Sequence, residues 1–224
     1  MITWDQPGYV VAFTTRVGGV SEGVYESLNL TARTGDAAER VEENRKRVCA
    51  NFGLPYEQLS FNRQVHATTV NRSGVRGEPG DGLWSDEPGQ PMLAFSADCL
   101  PIAIARTDGE RRLALVHAGW RGLSSGIVAA GVAAVGGDTA AVVGPAIGPC
   151  CYEVGDEVSS QFDPDLTVGR HLDLWSAAER ALRRAGVASV ERVDLCTCCN
   201  PELFFSHRRN GRERGVQGLI GAVA

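Results

Sequence analysis

Short apolar runs alternate along this chain with segments rich in glycine, proline and charge. The apolar runs, many of them β-branched, predict strands at residues 9–14, 59–70, 91–105, 112–118, 140–144, 190–197 and 216–223. Apolar residues at near-helical spacing predict helices at residues 37–52, 122–135, 155–162 and 173–186. Glycine and proline predict irregular structure at residues 15–23, 73–89 and 145–154.

These elements do not alternate strictly, which favours an α+β fold over a doubly wound one. We predict one domain over residues 1–224, with a mixed or antiparallel β-sandwich-like core flanked by helices. Asp36 is followed three residues later by Glu39, which is the pattern of an N-cap for the first helix, and Asp173 is expected to cap the last. A chain of this length can bury such a core without disulfides or a structural metal.

Composition narrows the possible functions. The net charge of −5 opposes a role in nucleic-acid binding, because phosphate recognition normally needs a basic surface. No apolar run is long enough to cross a membrane, and the N-terminus lacks the pattern of a signal peptide. We therefore expect a cytoplasmic protein without nucleic-acid or membrane partners.

The seven cysteines form an odd set with adjacent pairs, which indicates reduced thiols and not a disulfide framework. Cys196 and Cys199 have the C-x-x-C spacing of a metal knuckle or a redox pair. No strand-to-helix turn of the thioredoxin type surrounds them, so buried thiols or a pocket wall are the favoured interpretation. The roles of Cys150, Cys151 and Cys198 stay open.

Three strand-like segments each deliver a residue that can bind a metal. His117 ends the apolar run Leu-Ala-Leu-Val, Cys99 interrupts a second apolar run, and His66 lies among alternating residues of a predicted strand. One thiolate and two imidazoles give zinc three protein ligands and leave its fourth position open, as in catalytic zinc sites. We predict one zinc ion per chain, with copper less favoured because the chain has only four histidines. Asp98, beside Cys99, is expected to orient an imidazole or to transfer protons.

A set of motifs in fixed order carries a resemblance to a known family. The motifs are Thr14-Thr-Arg-Val-Gly-Gly-Val-Ser21, Gln64-Val-His66, Ala97-Asp-Cys-Leu-Pro101, His117-Ala-Gly-Trp-Arg-Gly122, Gly144-Pro-Ala-Ile-Gly-Pro149 and Phe204-Phe-Ser-His-Arg-Arg209. Together they resemble the YfiH-type laccase-domain family, described as multicopper polyphenol oxidase-like and also as purine nucleoside phosphorylases or peptidoglycan editing factors. The resemblance implies an α+β core wrapped by helices, with zinc held by His66, Cys99 and His117.

The same resemblance implies phosphorolysis of adenosine, inosine and methylthioadenosine, and deamination of adenosine. Phosphorolysis needs a cation to seat phosphate, and arginine suits this role because its planar guanidinium binds oxyanions through two hydrogen bonds. The predicted catalytic residues are Cys99, Asp98 and Arg121. The predicted substrate-binding residues are Arg16, Ser21, Asn29, Gln64 and Arg208.

Other functions stay open at this point. A peptidoglycan-precursor editing amidase would use Cys99 as a nucleophile beside His117, with no need for a metal. A copper-dependent polyphenol oxidase and a metal-binding protein without turnover are further alternatives. The expected partners of the favoured function are purine nucleosides and phosphate, and we expect a monomer or a small homo-oligomer.

Overall fold

The computed structural model describes residues 1–224, which form fourteen strands and six α-helices. The strands are β1 Ile2–Thr3, β2 Tyr9–Phe13, β3 Ser60–Arg63, β4 Val70–Arg72, β5 Arg76–Pro79, β6 Gly82–Ser85, β7 Met92–Ser96, β8 Leu100–Arg106, β9 Leu113–Ala118, β10 Thr139–Val143, β11 Thr167–Val168, β12 His171–Leu172, β13 Ser189–Arg192 and β14 Gln217–Val223. The helices are α1 Ala38–Ala50, α2 Trp120–Ser124, α3 Ile127–Val135, α4 Asp156–Ser159, α5 Leu174–Arg184 and α6 His207–Asn210.

Twelve of the strands form two mixed sheets. The first sheet has the order β1-β2-β14-β7-β3-β5, and the second has the order β13-β10-β8-β9-β6-β4. Most neighbours are antiparallel, but β3 is parallel to both β5 and β7, β4 to β6, and β10 to β13. Strands β11 and β12 form a small separate ribbon. The predicted α+β class with a mixed sheet core is therefore confirmed.

The two sheets pack face to face, and alternation along β8 shows how. Ala103 and Ala105 are buried in the cluster that joins the two sheets, whereas Ile102 and Ile104 are buried in the cluster that contains α3 and α5. Successive side chains of a strand point to opposite faces, so both faces of the second sheet are covered. This explains why β8 and β9 are almost continuously apolar in sequence.

Helix α1 covers the outer face of the first sheet. Its Val48 and Cys49 are buried against Ala12, Leu93 and Ile220 of that sheet. The molecule thus has four layers, in the order helix, sheet, sheet, helices. None of its helices combines the length and the apolar character that a membrane crossing would require.

Two long strands predicted from the sequence are each divided. The predicted strand at 59–70 is wrong between β3 and β4, because His66 adopts a left-handed φ of 61° in a turn. The predicted strand at 91–105 is divided by residues 97–99, where Asp98 has a φ of 87°. Non-glycine residues rarely adopt this conformation, and where they do, function is often the reason. Both breaks fall at predicted site residues.

Other boundaries also differ. The segment 73–89 contains the short strands β5 and β6, and the helix predicted at 122–135 is interrupted at Gly126, which has a φ of 97°. The cap predicted at Asp36 is wrong, because Ala37 begins α1 without a side-chain cap, whereas Asp173 caps α5 as expected by accepting a hydrogen bond from the Ser176 amide.

Candidate functional site

The three predicted ligands meet where the central strands of the second sheet end. Cys99 directly precedes β8, His117 lies near the end of β9, and His66 lies in the turn between β3 and β4. Antiparallel pairing sets Leu100 opposite Ala118, which brings Cys99 beside the end of β9. The candidate ligand atoms of the three residues all lie within 4.8 Å of one another, and Cys99 Sγ is 3.8 Å from His66 Nε2.

The space between these side chains depends on Gly119. A Cβ atom at this position would lie 2.6 Å from Cδ2 of His66 and 3.1 Å from Sγ of Cys99, both closer than ordinary contacts. Gly119 has a φ of −71°, so its backbone would accept any residue and only the crowding favours glycine. A soft thiolate and two imidazoles around such a gap fit a zinc ion with one open position.

Asp81 organises this centre, and the sequence analysis missed it. One carboxylate oxygen accepts hydrogen bonds from the backbone amides of Val65 and Ala67, at 3.0 and 2.8 Å. The other accepts from the His66 amide at 3.0 Å and from Nδ1 of His117 at 2.9 Å. A carboxylate can only accept here, so Nδ1 of His117 donates to it, and Nε2 is the atom that can bind a metal after it loses any proton.

The electrostatics of the trio favour ionised ligands. Burial by itself would raise the pKa of the Cys99 thiol, but the imidazoles of His117 and His66 lower that pKa to about 6. Burial would also lower the pKa of His117, yet the Cys99 sulfur and the Asp81 carboxylate raise it to about 9. The pair therefore favours thiolate and imidazolium, whose proton a binding cation would displace.

A cavity of about 540 Å³ opens above the three ligands, which is the usual size for a small-molecule site. Its lining includes all three ligands. The aromatic and cationic residues in the lining are Phe95, Trp120, Tyr152, His207, Arg33, Arg121, Arg208 and Arg214. Among the acidic residues of the chain, only Asp98 contributes to this lining. The cavity therefore has an excess of positive charge.

Asp98 lines the cavity, but it does not touch either histidine of the trio. Its carboxylate accepts hydrogen bonds from the hydroxyls of Thr197 and Ser206, at 2.6 and 3.1 Å, and from the Arg208 amide at 2.6 Å. The expectation that Asp98 orients an imidazole is thus corrected, because Asp81 makes that contact. Asp98 instead joins the start of α6 to the cavity floor.

Two of the predicted substrate residues lie away from the cavity. Ser21 and Asn29 are almost completely buried and both donate to the carboxylate of Asp36, at 2.6 and 2.9 Å. Asn44 donates to the Ser21 hydroxyl at 2.9 Å and completes this network. These hydrogen bonds hold the glycine-rich segment at residues 15–23 in place. The role of the Asp36 carboxylate is therefore to accept these bonds and not to cap the helix.

Of the remaining predicted residues, three line the cavity and Arg16 does not. Gln64, Arg121 and Arg208 line the cavity, although the Gln64 amide is bonded on both sides to the backbone of Phe95. Arg16 does not line it. Its guanidinium donates to two backbone carbonyls and lies 4.7 Å from the ring of Phe205, so it supports the wall from outside.

Arg214 is a second residue that the sequence analysis missed. It is mostly buried in the cavity lining, and its Nη1 donates to the Gly211 carbonyl at 2.9 Å, but its buried Nε has no hydrogen-bond partner. Burial lowers the pKa of Arg214, while the negative charges of Asp98 and Cys99 act in the opposite direction. A buried guanidinium with a free N–H is costly unless a ligand pairs with it. Only its position after Phe204-Phe-Ser-His-Arg-Arg209, a motif already singled out, could have pointed to it.

Comparison with known proteins identifies the family of this chain. Residues 10–223 match the family model described as multi-copper polyphenol oxidoreductase laccase. The chain belongs to this family. The matched range spans the positions of all three candidate ligands and of Asp81 and Arg214.

Similar proteins cover nearly the whole chain. The Escherichia coli protein named purine nucleoside phosphorylase YfiH is 37% identical over 92% of this chain and 91% of its own. A Pseudomonas aeruginosa protein also named purine nucleoside phosphorylase is 38% identical over 97% of this chain and 95% of its own. The crystal structure of a Neisseria meningitidis protein superimposes with a TM-score of 0.90 at 32% identity, and covers 99% of this chain and 98% of that one. The resemblance inferred from the motifs is confirmed.

Proposed function

We propose that this protein is a zinc-dependent purine nucleoside phosphorylase that also deaminates adenosine. Its substrates would be adenosine, inosine and methylthioadenosine, with phosphate as the second substrate. The observation that carries the proposal is the buried, unpartnered Nε of Arg214 in a cavity directly above the candidate metal ligands. The printed names of the Escherichia coli and Pseudomonas aeruginosa relatives support the same activity.

The charge of the cavity supports an anionic substrate. Arg33, Arg121, Arg208 and Arg214 line it, while the carboxylate of Asp98 is already bonded to three donors. Arg208 uses its guanidinium on two backbone carbonyls of the neighbouring loop. Arg214 uses only Nη1 on backbone carbonyls, so its Nε and Nη2 stay available, as does the guanidinium of Arg121. Arginine binds phosphate through two parallel hydrogen bonds, so these groups keep donors for it.

The apolar part of the lining suits a purine. Phe95, Trp120 and Tyr152 provide ring surfaces in the same cavity as the arginines. Flat aromatic side chains pack well against a heterocyclic base. Gln64 has both amide atoms engaged by Phe95, so its contribution would be to hold that ring in place and not to bind ribose.

Phosphorolysis forms a bond between a phosphate oxygen and C1′ of the ribose and breaks the bond from C1′ to N9. The purine leaves with the electron pair and takes up a proton. Arg214 and Arg121 would hold the phosphate oxygens and offset negative charge as the bond breaks. A zinc ion held by His66, Cys99 and His117 would supply Lewis acidity, including for the attack of water that deamination requires. Asp81 would keep His117 in its metal-binding tautomer.

Product analysis tests the proposal directly. Purified protein is incubated with adenosine, inosine or methylthioadenosine, with and without phosphate, and bases and nucleosides are separated. We expect free base only when phosphate is present, and inosine from adenosine whether or not phosphate is added. Absence of any product at high enzyme concentration would contradict the proposal.

A matched pair of variants tests the role of Arg214. We expect Arg214→Gln to raise the KM for phosphate and reduce phosphorolysis by about 10² or more, while deamination is less affected because it uses no phosphate. Arg212→Gln is the control, because Arg212 is exposed on the same segment and does not line the cavity. Equal losses of both activities in Arg214→Gln would point to a structural role instead.

A second candidate function is favoured by the state of Cys99. A thiol whose pKa is lowered to about 6 beside an imidazole is also the signature of a cysteine nucleophile, as in an editing amidase acting on a peptidoglycan precursor. Cys99→Ser separates the two mechanisms. If Cys99 is a ligand, the variant loses zinc and nucleoside turnover together, and Cys99→Asp recovers part of the zinc binding. If Cys99 is a nucleophile, the variant keeps its metal, and the amidase activity of the unmodified protein survives chelation.

A further inference from the structure

Four cysteines outside the site described above lie close together at and just beneath the surface. Sγ of Cys199 is 3.4 Å from Sγ of Cys150 and 3.4 Å from Sγ of Cys151. With Cys196 they form a group, here called the four-cysteine cluster, in which all sulfur atoms lie within 4.8 Å of one another. Cys198 is not a member of this group.

These distances suit a tetrahedral metal site. Zinc bound to four thiolates at about 2.3 Å places the sulfur atoms about 3.8 Å apart. The two shortest separations in the cluster are 3.4 Å and none exceeds 4.8 Å, so small side-chain movements are sufficient. Cys150 and Cys199 are exposed, so an ion can enter from solvent, and Cys196 is buried beneath them.

The cluster joins two segments that are far apart in sequence. An isolated parallel bridge pairs Ala146 with Cys196, and the Thr197 amide donates to the Ala146 carbonyl at 3.0 Å. The Gly148 amide donates to Sγ of Cys196 at 3.3 Å, as amides commonly do toward metal-bound thiolates. Cys196 and Cys199 also have the C-x-x-C spacing found in structural zinc sites.

A disulfide explains the arrangement less well. Cys199 is equally close to two partners, Cys150 and Cys151, and can form a covalent bond with only one of them. A disulfide would leave the other thiol and Cys196 beside it without a function. A tetrahedral cation uses all four sulfur atoms at once.

We propose that Cys150, Cys151, Cys196 and Cys199 bind a second zinc ion in a structural site that braces one wall of the cavity. Tyr152 of that wall directly follows Cys151, and the carbonyls of Cys151 and Glu153 accept hydrogen bonds from Arg208 at 2.8 and 2.9 Å.

From the other segment, the Thr197 hydroxyl donates to Asp98 at 2.6 Å. A metal clamp between the two segments would therefore fix the positions of Tyr152, Arg208 and Asp98 together.

Metal counting under reducing conditions tests the proposal. We expect about two zinc ions per chain in the unmodified protein, and about one in Cys199→Ser. The exposed position of Cys199 makes this a mild change to the fold. Cys198→Ser is the matched control, because Cys198 lies on the same segment outside the cluster, and it should keep both ions.

His66→Gln separates this proposal from the one for the cavity site. It should leave the second ion in place, and the double variant with Cys199→Ser should bind none. If His66→Gln still binds one ion and Cys199→Ser binds none, the four-cysteine site stands and the proposed catalytic site fails. If the unmodified protein binds one ion that Cys199→Ser retains, the four-cysteine site is refuted.

Cobalt substitution identifies the ligands. Cobalt alone, added to metal-free His66→Gln, should give the intense sulfur-to-metal absorption of four-thiolate coordination, and Cys199→Ser should abolish it in that background. The melting temperature of Cys199→Ser should also fall below that of Cys198→Ser, because a structural ion stabilises the folded state. Absence of the cobalt bands, or a disulfide within the cluster that persists under the reducing conditions used for metal counting, would overturn the proposal.

Discussion

Replacement of Asp81 by asparagine tests how the candidate metal centre is held together. The side chain is completely buried and accepts four hydrogen bonds, three from the turn at residues 65–67 and one from Nδ1 of His117. Asparagine has the same shape but only one accepting atom. In either orientation of the amide, two of the four donors would face an NH₂ group and lose their acceptor.

The magnitude follows from this count. Each hydrogen bond to a charged group contributes about 1.5–3 kcal/mol, so loss of two bonds lowers the free energy of unfolding by about 3–6 kcal/mol. The turn is partly open to solvent, which favours the lower end of this range. Misorientation of His66 and His117 should also weaken zinc binding by about 10–100-fold, as is usual when the partner of a metal-binding histidine is removed.

The assay is competition for zinc against a chromophoric chelator, together with a thermal melt. Asp86→Asn is the first control, because Asp86 lies just beyond β6 and forms only a surface ion pair with Arg72, which contributes about 0–1 kcal/mol. Asp98→Asn is the second, because Asp98 lines the cavity without contacting an imidazole. Unchanged zinc affinity in Asp81→Asn, or a larger loss in Asp98→Asn, would refute the assignment of Asp81 as the residue that orients His117.

Two further predictions concern the ligands themselves. In metal-free protein, the rate at which iodoacetamide alkylates Cys99 should rise with pH through about 6, because only the thiolate reacts. Zinc should suppress this reaction. A rise only near the ordinary thiol pKa of about 8.5 would contradict the lowered pKa. Cys49, whose pKa is raised to about 11 by burial, should stay unreactive throughout. Gly119→Ala should weaken metal binding and activity, because the added methyl would crowd His66 and Cys99 and reduce the free energy of metal binding by about 1–3 kcal/mol. Unchanged zinc affinity would show that the centre adapts to the methyl group and would contradict this prediction.

Much of the fold was predictable, because the order of apolar and polar residues within a strand or helix follows which of its faces are buried. The double-sided burial of β8 and β9 gives continuous apolar runs, and the amphipathic α5 begins at the aspartate expected to cap it. The breaks at His66 and Asp98 were not predictable, because strand-like residues continue on both sides of each position. Their left-handed backbone is imposed by partners from distant segments, such as Asp81 for the turn around His66.

The sequence by itself indicated the three candidate ligands, because a thiol and two imidazoles on three strand-like segments form the ligand set of a catalytic zinc site. Tertiary structure decided which groups serve them. Nothing in the sequence distinguishes Asp81 from Asp98 as the partner of a histidine. The pairing of β6 with β9 places Asp81 against His117. The position of Arg214 in the cavity and the four-cysteine cluster likewise depend on the tertiary structure. Residues far apart in sequence can bind one ligand only when long-range packing brings them within a few ångströms of one another.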